Sequence, residues 1–136
     1  IFGNGELHNS LSKKIDDLHV ERLSLKGAAS NIYDIYHEYA FLVMTSRYEG
    51  YPMVLLESIA NKVPVIAFDC QTGPSDIIDH KKTGLLIEEN NAVQMIESIE
   101  LLIIDESFRV KISNNCESAI KSFSTSDIIN KWNMHL

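Results

Sequence analysis

Only two cysteines occur in the 136 residues, Cys70 and Cys116, far apart and in no metal-ligand spacing. They offer no cysteine-based zinc site, and they read as free thiols buried in a reducing compartment, with a single disulfide as the lesser reading. Basic residues are also scarce: 12 Lys and Arg stand against 19 Asp and Glu, for a formal net charge of −7. A nucleic-acid surface needs clustered cations, so that class of partner is set aside. A small phosphorylated ligand held by helix N-termini is still compatible with this balance. No apolar run reaches the roughly 18 residues of a membrane span, and the start shows no signal-peptide pattern. His8, His19, His37, His80 and His135 form no cluster in the sequence and are assigned no role. Repeats, low-complexity tracts and long linkers are absent from the sequence as well.

What remains is an ordinary globular composition, 45% hydrophobic and 23% charged, long enough for one domain with a core. Ile1-Phe2 runs straight into Gly3-Asn4-Gly5 and reads as the tail of a strand cut from a longer chain. A single domain over 1–136, truncated at its N-terminal edge, is therefore expected. Leu7, Leu11, Ile15 and Leu18 recur at helical steps and predict an amphipathic helix. A short strand is expected over 23–26, ending at Gly27, and a helix over 32–39 capped by Ser30 or Asn31. The runs FLVMT at 41–45 and VPVIAF at 63–68 predict strands buried on both faces. A last short strand is expected over 85–87. Helices follow: one after Asn90-Asn91 with Val93, Ile96, Ile99 and Ile103 on one face, and one capped by Asp105 with Phe108, Ile112, Cys116 and Ala119 inward. A final helix is expected to open at Ser126 and carry Trp132.

Strands alternating with helices imply an α/β domain, a Rossmann-like parallel sheet with helices on both faces. Ligands of such sheets bind beyond the carboxyl ends of the strands. The loops at 27–31, 46–52 and 69–75 all leave strand ends, so one cleft is expected to gather them.

The 46–60 stretch, SRYEGYPMVLLESIA, carries Glu49 and Glu57 with seven residues between them. On one helix that step turns through two turns plus about 80°, so the carboxylates would diverge. Pro52 breaks any such helix and suits a helix start. A loop over 46–51 and a helix over 52–61 are therefore predicted, with the two glutamates flanking a helix N-terminus that attracts an anion. GNGELH is a plain turn rather than a dinucleotide fingerprint, because His8 occupies the third glycine position and no acidic residue follows a second strand.

EGYPMVLLE resembles the Glu-x7-Glu motif of retaining glycosyltransferases of family 4, which have the GT-B fold. SRYEGYPMVLLESIANKVPVIAFD, GPSDII and KTGLLIE match the family's successive segments in order and spacing. IFGNGE is similar to its Gly-x-Gly strand end, and FSTSDIINKW to its closing Phe-Ser helix. The resemblance covers nearly the whole chain. It implies the C-terminal, nucleotide-sugar-binding half of a GT-B enzyme, with the acceptor domain absent.

By the same resemblance, the donor pyrophosphate lies at the N-terminus of the Pro52 helix, near Gly50 and the backbone N–H groups of Tyr51, Met53 and Val54. Glu57 takes the ribose hydroxyls, a vicinal diol suited to a carboxylate. Glu49 lies at the donor sugar and is the catalytic-site candidate. Gly27 begins the loop beside the nucleobase. CQTGPSDII keeps one glycine, Gly73, where relatives commonly have two, and Asp76 where they have glutamate, so a helix-start role and a direct sugar contact both stay open there. The reaction implied is hexosyl transfer with retention, from a nucleotide sugar (UDP favoured) to the hydroxyl of a glycan or lipid-linked sugar, in polysaccharide biosynthesis. The leaving phosphate would help take the acceptor proton. An Arg and a Lys that assist it in relatives lie upstream of this chain, so the chain alone is expected to be inactive. No cofactor or metal is implied, and the sequence has no Asp-x-Asp pair. The implied setting is cytoplasmic, at the inner face of the membrane where the acceptor is lipid-linked. A sugar-nucleotide epimerase, a phosphorylase, an NAD-dependent dehydrogenase domain and a noncatalytic binding module are the alternatives.

Overall fold

The computed structural model describes residues 1–134, which divide into two compact units with a boundary between Asp34 and Ile35.

The first unit holds helix α1, His8–Asp17. It starts one residue after Leu7 and ends one residue before Leu18, within the span that the apolar periodicity predicts. No residue of this unit is buried, and of the helix's apolar series only Ile15 is half-buried. The strand expected over 23–26 does not form. In its place a single parallel bridge joins Phe2 to Gly27, flanked by Lys26 N–H to Ile1 O at 2.8 Å and Gly3 N–H to Gly27 O at 2.7 Å. Ile1-Phe2 does pair in the manner of a strand end, but over one residue only. Helix α2, Ile32–Ile35, crosses the unit boundary. The helix expected over 32–39 tightens after α2 into a 3₁₀ turn, Tyr36–Glu38.

The second unit is built on a parallel sheet of β1 (Leu42–Met44), β2 (Val65–Phe68) and β3 (Gly84–Ile87), in that order. Helix α3, Met53–Ala60, connects β1 to β2, and the short α4, Pro74–Ile77, connects β2 to β3. Three long helices follow: α5 (Ala92–Ile104), α6 (Glu106–Ala119) and α7 (Thr125–Asn133).

Val65, Ile66 and Ala67 are successive and wholly buried, so both faces of β2 are covered, as the unbroken apolar run requires. β1 departs from that expectation. Val43 is 39% exposed, because β1 is an edge strand here and pairs with β2 on one side only. Leu55 and Ile59 place one face of α3 in the core, joined there by Leu85, Ile87, Met95, Leu102, Ile112 and Cys116. Ser58 is buried in the same helix, and its hydroxyl donates to Val63 O at 2.9 Å, so no polar atom is orphaned by the burial.

The helix caps follow side-chain chemistry. Asn91 Oδ1 accepts from Gln94 N–H, and Asp105 Oδ1 accepts from Phe108 N–H. The last helix opens at Thr125, one residue earlier than expected, and Ser124 caps it, accepting from Asp127 N–H while donating to the Asp127 carboxylate. Phe108, Ile112, Cys116 and Ala119 do face inward along α6. The inward face of α5 is different from the one expected. Met95 and Leu102 are buried with Ile99 packed against them, while Val93, Ile96 and Ile103 are exposed.

Candidate functional site

The carboxyl ends of β1 and β2 deliver two loops, 45–52 and 69–73, that lock together. Pro52 is the N-cap of α3 rather than its first helical residue, since its ψ of 90° is extended. Its carbonyl accepts from Leu55 N–H at 3.0 Å. Gly73 ends the second loop with φ +98°, a conformation that favours glycine. A side chain at Gly73 could not fit. A Cβ there would lie 2.4 Å from Pro52 Cδ and 3.3 Å from Gly50 O. The Thr72 hydroxyl donates to the Glu49 carbonyl, adding a second tie between the loops.

This interlock sets up the start of α3. The first-turn N–H groups of any helix have no partner inside it and carry the positive end of its dipole. Pro52 is buried at this end, while Gly50, Tyr51 and Met53 beside it are exposed and Val54 is half-buried. Tyr51, though exposed, has its phenol pushed up first by partial desolvation and then by the nearby charge of Asp76, which sits in the first turn of α4.

Along the chain, Glu49 precedes that helix start and Glu57 follows it. Glu49 is in the loop and half-buried, with its carbonyl held by Thr72. Glu57 is one turn into α3, also half-buried, and its carboxylate accepts from the Tyr36 hydroxyl at 3.3 Å. The same hydroxyl lies 3.4 Å from Val54 O. Tyr36 is 5% exposed and is a site residue that the sequence alone does not single out. Only a helix phase that puts Tyr36 inward could have flagged it, and the 3₁₀ turn obscures that phase.

Glu49, Gly50, Tyr51, Pro52, Met53, Val54, Glu57 and Gly73 are thus gathered on one edge of the second unit. Gly27 belongs to the first unit, where it holds φ +72° beside Asn4. Arg47 is exposed, in the same loop as Glu49. His135 lies outside the described residues. Among the described residues no group of three or more His, Cys, Asp and Glu side chains could hold a metal ion, and no helix is long and apolar enough to cross a membrane.

The carboxyl edge of a parallel α/β sheet, where loops enter helices, is where such sheets bind their ligands. Residues 1–119 match the family model for glycosyl transferases group 1. The chain belongs to this family, glycosyltransferase family 4, and has the fold of the C-terminal domain of GT-B enzymes. The poly(ribitol-phosphate) alpha-N-acetylglucosaminyltransferase of Staphylococcus aureus (strain COL) is 34% identical over 134 residues, which are 97% of this chain and 27% of that protein. The amylovoran biosynthesis glycosyltransferase AmsD of Erwinia amylovora is 33% identical over 134 residues, 98% of this chain and 38% of that protein. The crystal structure of TarM superposes with a TM-score of 0.90 at 33% identity, over 97% of this chain and 27% of TarM. A variant of TarM from S. aureus, in complex with Fondaparinux, alpha-GlcNAc-glycerol and UDP, gives 0.91. The chain therefore spans well under half of these relatives.

Proposed function

We propose that this chain is the donor-binding domain of a retaining hexosyltransferase that moves a sugar from a nucleotide diphosphate, UDP in the first instance, to an acceptor hydroxyl. The observation that carries the reading is the exposed N-terminus of α3, set between Glu49 and Glu57 and braced by the Gly73 turn. A pyrophosphate at this helix end would meet the N–H groups of Tyr51, Met53 and Val54, with Gly50 leaving room for it. Glu57, one turn deeper, takes the ribose diol. Glu49, on the other side, takes the hydroxyls of the transferred sugar and is the catalytic-site residue. Gly73 shapes the turn against Pro52, and Gly27 supplies backbone to the nucleobase.

Electrostatic support for the departing diphosphate is then the main demand on the protein, and helix dipoles meet part of it without a metal ion. UDP is favoured because it accompanies TarM and the pneumococcal O-GlcNAc transferase GtfA in their crystals. Retention agrees with relatives named as alpha-transferases acting on poly(ribitol-phosphate) and poly(glycerol-phosphate). Acceptor binding is assigned to a further domain of the intact protein, which would work in the cytoplasm, where nucleotide sugars are available, and reach lipid-linked acceptors at the inner membrane face.

The test is a calorimetric screen of UDP, GDP and ADP, free and sugar-linked, against the intact protein, with and without EDTA. Saturable binding of one nucleotide that persists in EDTA is expected. No binding of any of the three at millimolar concentration would overturn the reading, and binding only with added Mg²⁺ or Mn²⁺ would overturn its metal-free form.

A further inference from the structure

The Tyr36 hydroxyl reaches two acceptors on α3 that are three residues apart, Val54 O at 3.4 Å and Glu57 Oε2 at 3.3 Å. Tyr36 is buried, in the 3₁₀ turn Tyr36–Glu38 that precedes β1. Glu57 is half-buried on a helix whose opposite side, at Leu55 and Ile59, is anchored in the core. A buried donor on one element thus meets a half-buried carboxylate on another.

From this geometry we infer that Tyr36 is a positioning residue: its hydroxyl holds the Glu57 carboxylate in the rotamer that receives the ribose diol of the donor. The inference rests on the proposed role of Glu57 and adds to it the group that orients it. A phenol has one proton, and of its two acceptors a carboxylate draws the stronger hydrogen bond than a neutral carbonyl. A carboxylate has about four acceptor positions, and the bond from Tyr36 takes up one of them. Both distances are long for an O–H···O bond. The hydroxyl therefore lies between the two acceptors, and its bond to Glu57 is a restraint already present before a donor binds. Without the hydroxyl, Glu57 loses this restraint, more of its ordering falls to the ligand, and ordering a long side chain weakens binding.

The discriminating measurement compares UDP with 2′,3′-dideoxy-UDP by calorimetry on the intact protein, with the GDP and ADP pairs in the same series. The dideoxy form keeps base and phosphates and lacks the diol. Wild type should prefer the natural nucleotide, and Glu57→Gln should erase most of that preference. Tyr36→Phe should weaken the natural nucleotide by roughly three- to tenfold, as loss of one hydrogen bond does, and leave the dideoxy form unchanged. Ser58→Ala removes another buried hydroxyl bond in α3, the one to Val63 O, and it should lower the melting temperature without changing the preference.

If Glu57→Gln erases the preference and Tyr36→Phe does not, the positioning role is wrong while the ribose role stands. If Tyr36→Phe weakens both nucleotides equally, its role is structural, and the inference is again wrong. If Glu57→Gln leaves the preference intact, or no pair binds, the donor-site reading falls and this inference falls with it.

Discussion

At the residue scale the site depends on two kinds of position, those that admit no side chain and those whose charge does the recognition. Gly73 is the first kind. Its φ of +98° and the 2.4 Å approach of Pro52 Cδ to a would-be Cβ both oppose substitution, whereas a Cβ on Gly50 would meet nothing within 4 Å. Gly73→Ala should therefore cost about 1–3 kcal/mol in denaturant unfolding and depress turnover of the intact protein, with Gly50→Ala near neutral in stability. Equal stability losses would mean that the two loops adjust freely to each other. The glutamates are the second kind. If Glu57 takes the ribose diol, Glu57→Gln removes charge-assisted hydrogen bonds of about 1.5–3 kcal/mol and weakens free nucleotide roughly ten- to a hundredfold. Glu49→Gln should leave free-nucleotide affinity nearly unchanged and lower turnover, since Glu49 meets only the sugar. Calorimetry and activity on the same preparations separate the two, and equal affinity losses would show the division of roles to be wrong.

At the element scale, what could be read from the chain was set by local chemistry, and what could not was set by neighbours. The start of α3 was legible because Pro52 cannot continue a helix and Leu55 and Ile59 repeat at four. The caps at Asn91 and Asp105 were legible for the same local reason. The inward face of α5 was not. Its residues are apolar almost all round, so periodicity admits several stripes, and contact with β2, β3 and α6 selects Met95 and Leu102 over Val93 and Ile96. Tyr36 escaped notice because its partner is 21 residues away and no motif connects them. The inward phase of α6, by contrast, holds a testable consequence. Cys116 is fully buried, its thiol donates to Thr83 O at 3.6 Å, and burial pushes it from 9.0 up to about 11. A thiol raised in the fold stays protonated where the unfolded chain already loses its proton. Its contribution is therefore fully present below pH 9 and is lost as pH rises from about 9 to about 11. Unfolding stability of wild type should fall more steeply over that window than that of Cys116→Ala. Parallel pH profiles for the two proteins would contradict the assignment.

At the scale of the whole chain, the two units are unequal in what holds them. The second has a continuous core from β2 through α3, α5 and α6, with Leu55, Ile59, Val65, Ile66, Leu102 and Ile112 entirely removed from solvent. Each such side chain contributes about 1.5–3 kcal/mol of burial. The first has no buried residue, and the apolar side chains of Ile1, Leu11, Leu18, Val20 and Leu23 border an open hollow of about 250 Å³. α1 therefore has its hydrogen-bonded backbone but little packing behind it, and a ten-residue helix is marginal on backbone bonds alone. Local opening follows packing density, so amide exchange in residues 1–136 should report the difference directly. Amides of α1 should exchange at least about a hundredfold faster than those of β2 at Val65–Phe68, a gap of about 2.7 kcal/mol in opening free energy. Limited proteolysis should likewise cut first within 1–34. Uniform protection across α1 and β2 would mean that the first unit draws stability from packing its own residues do not provide.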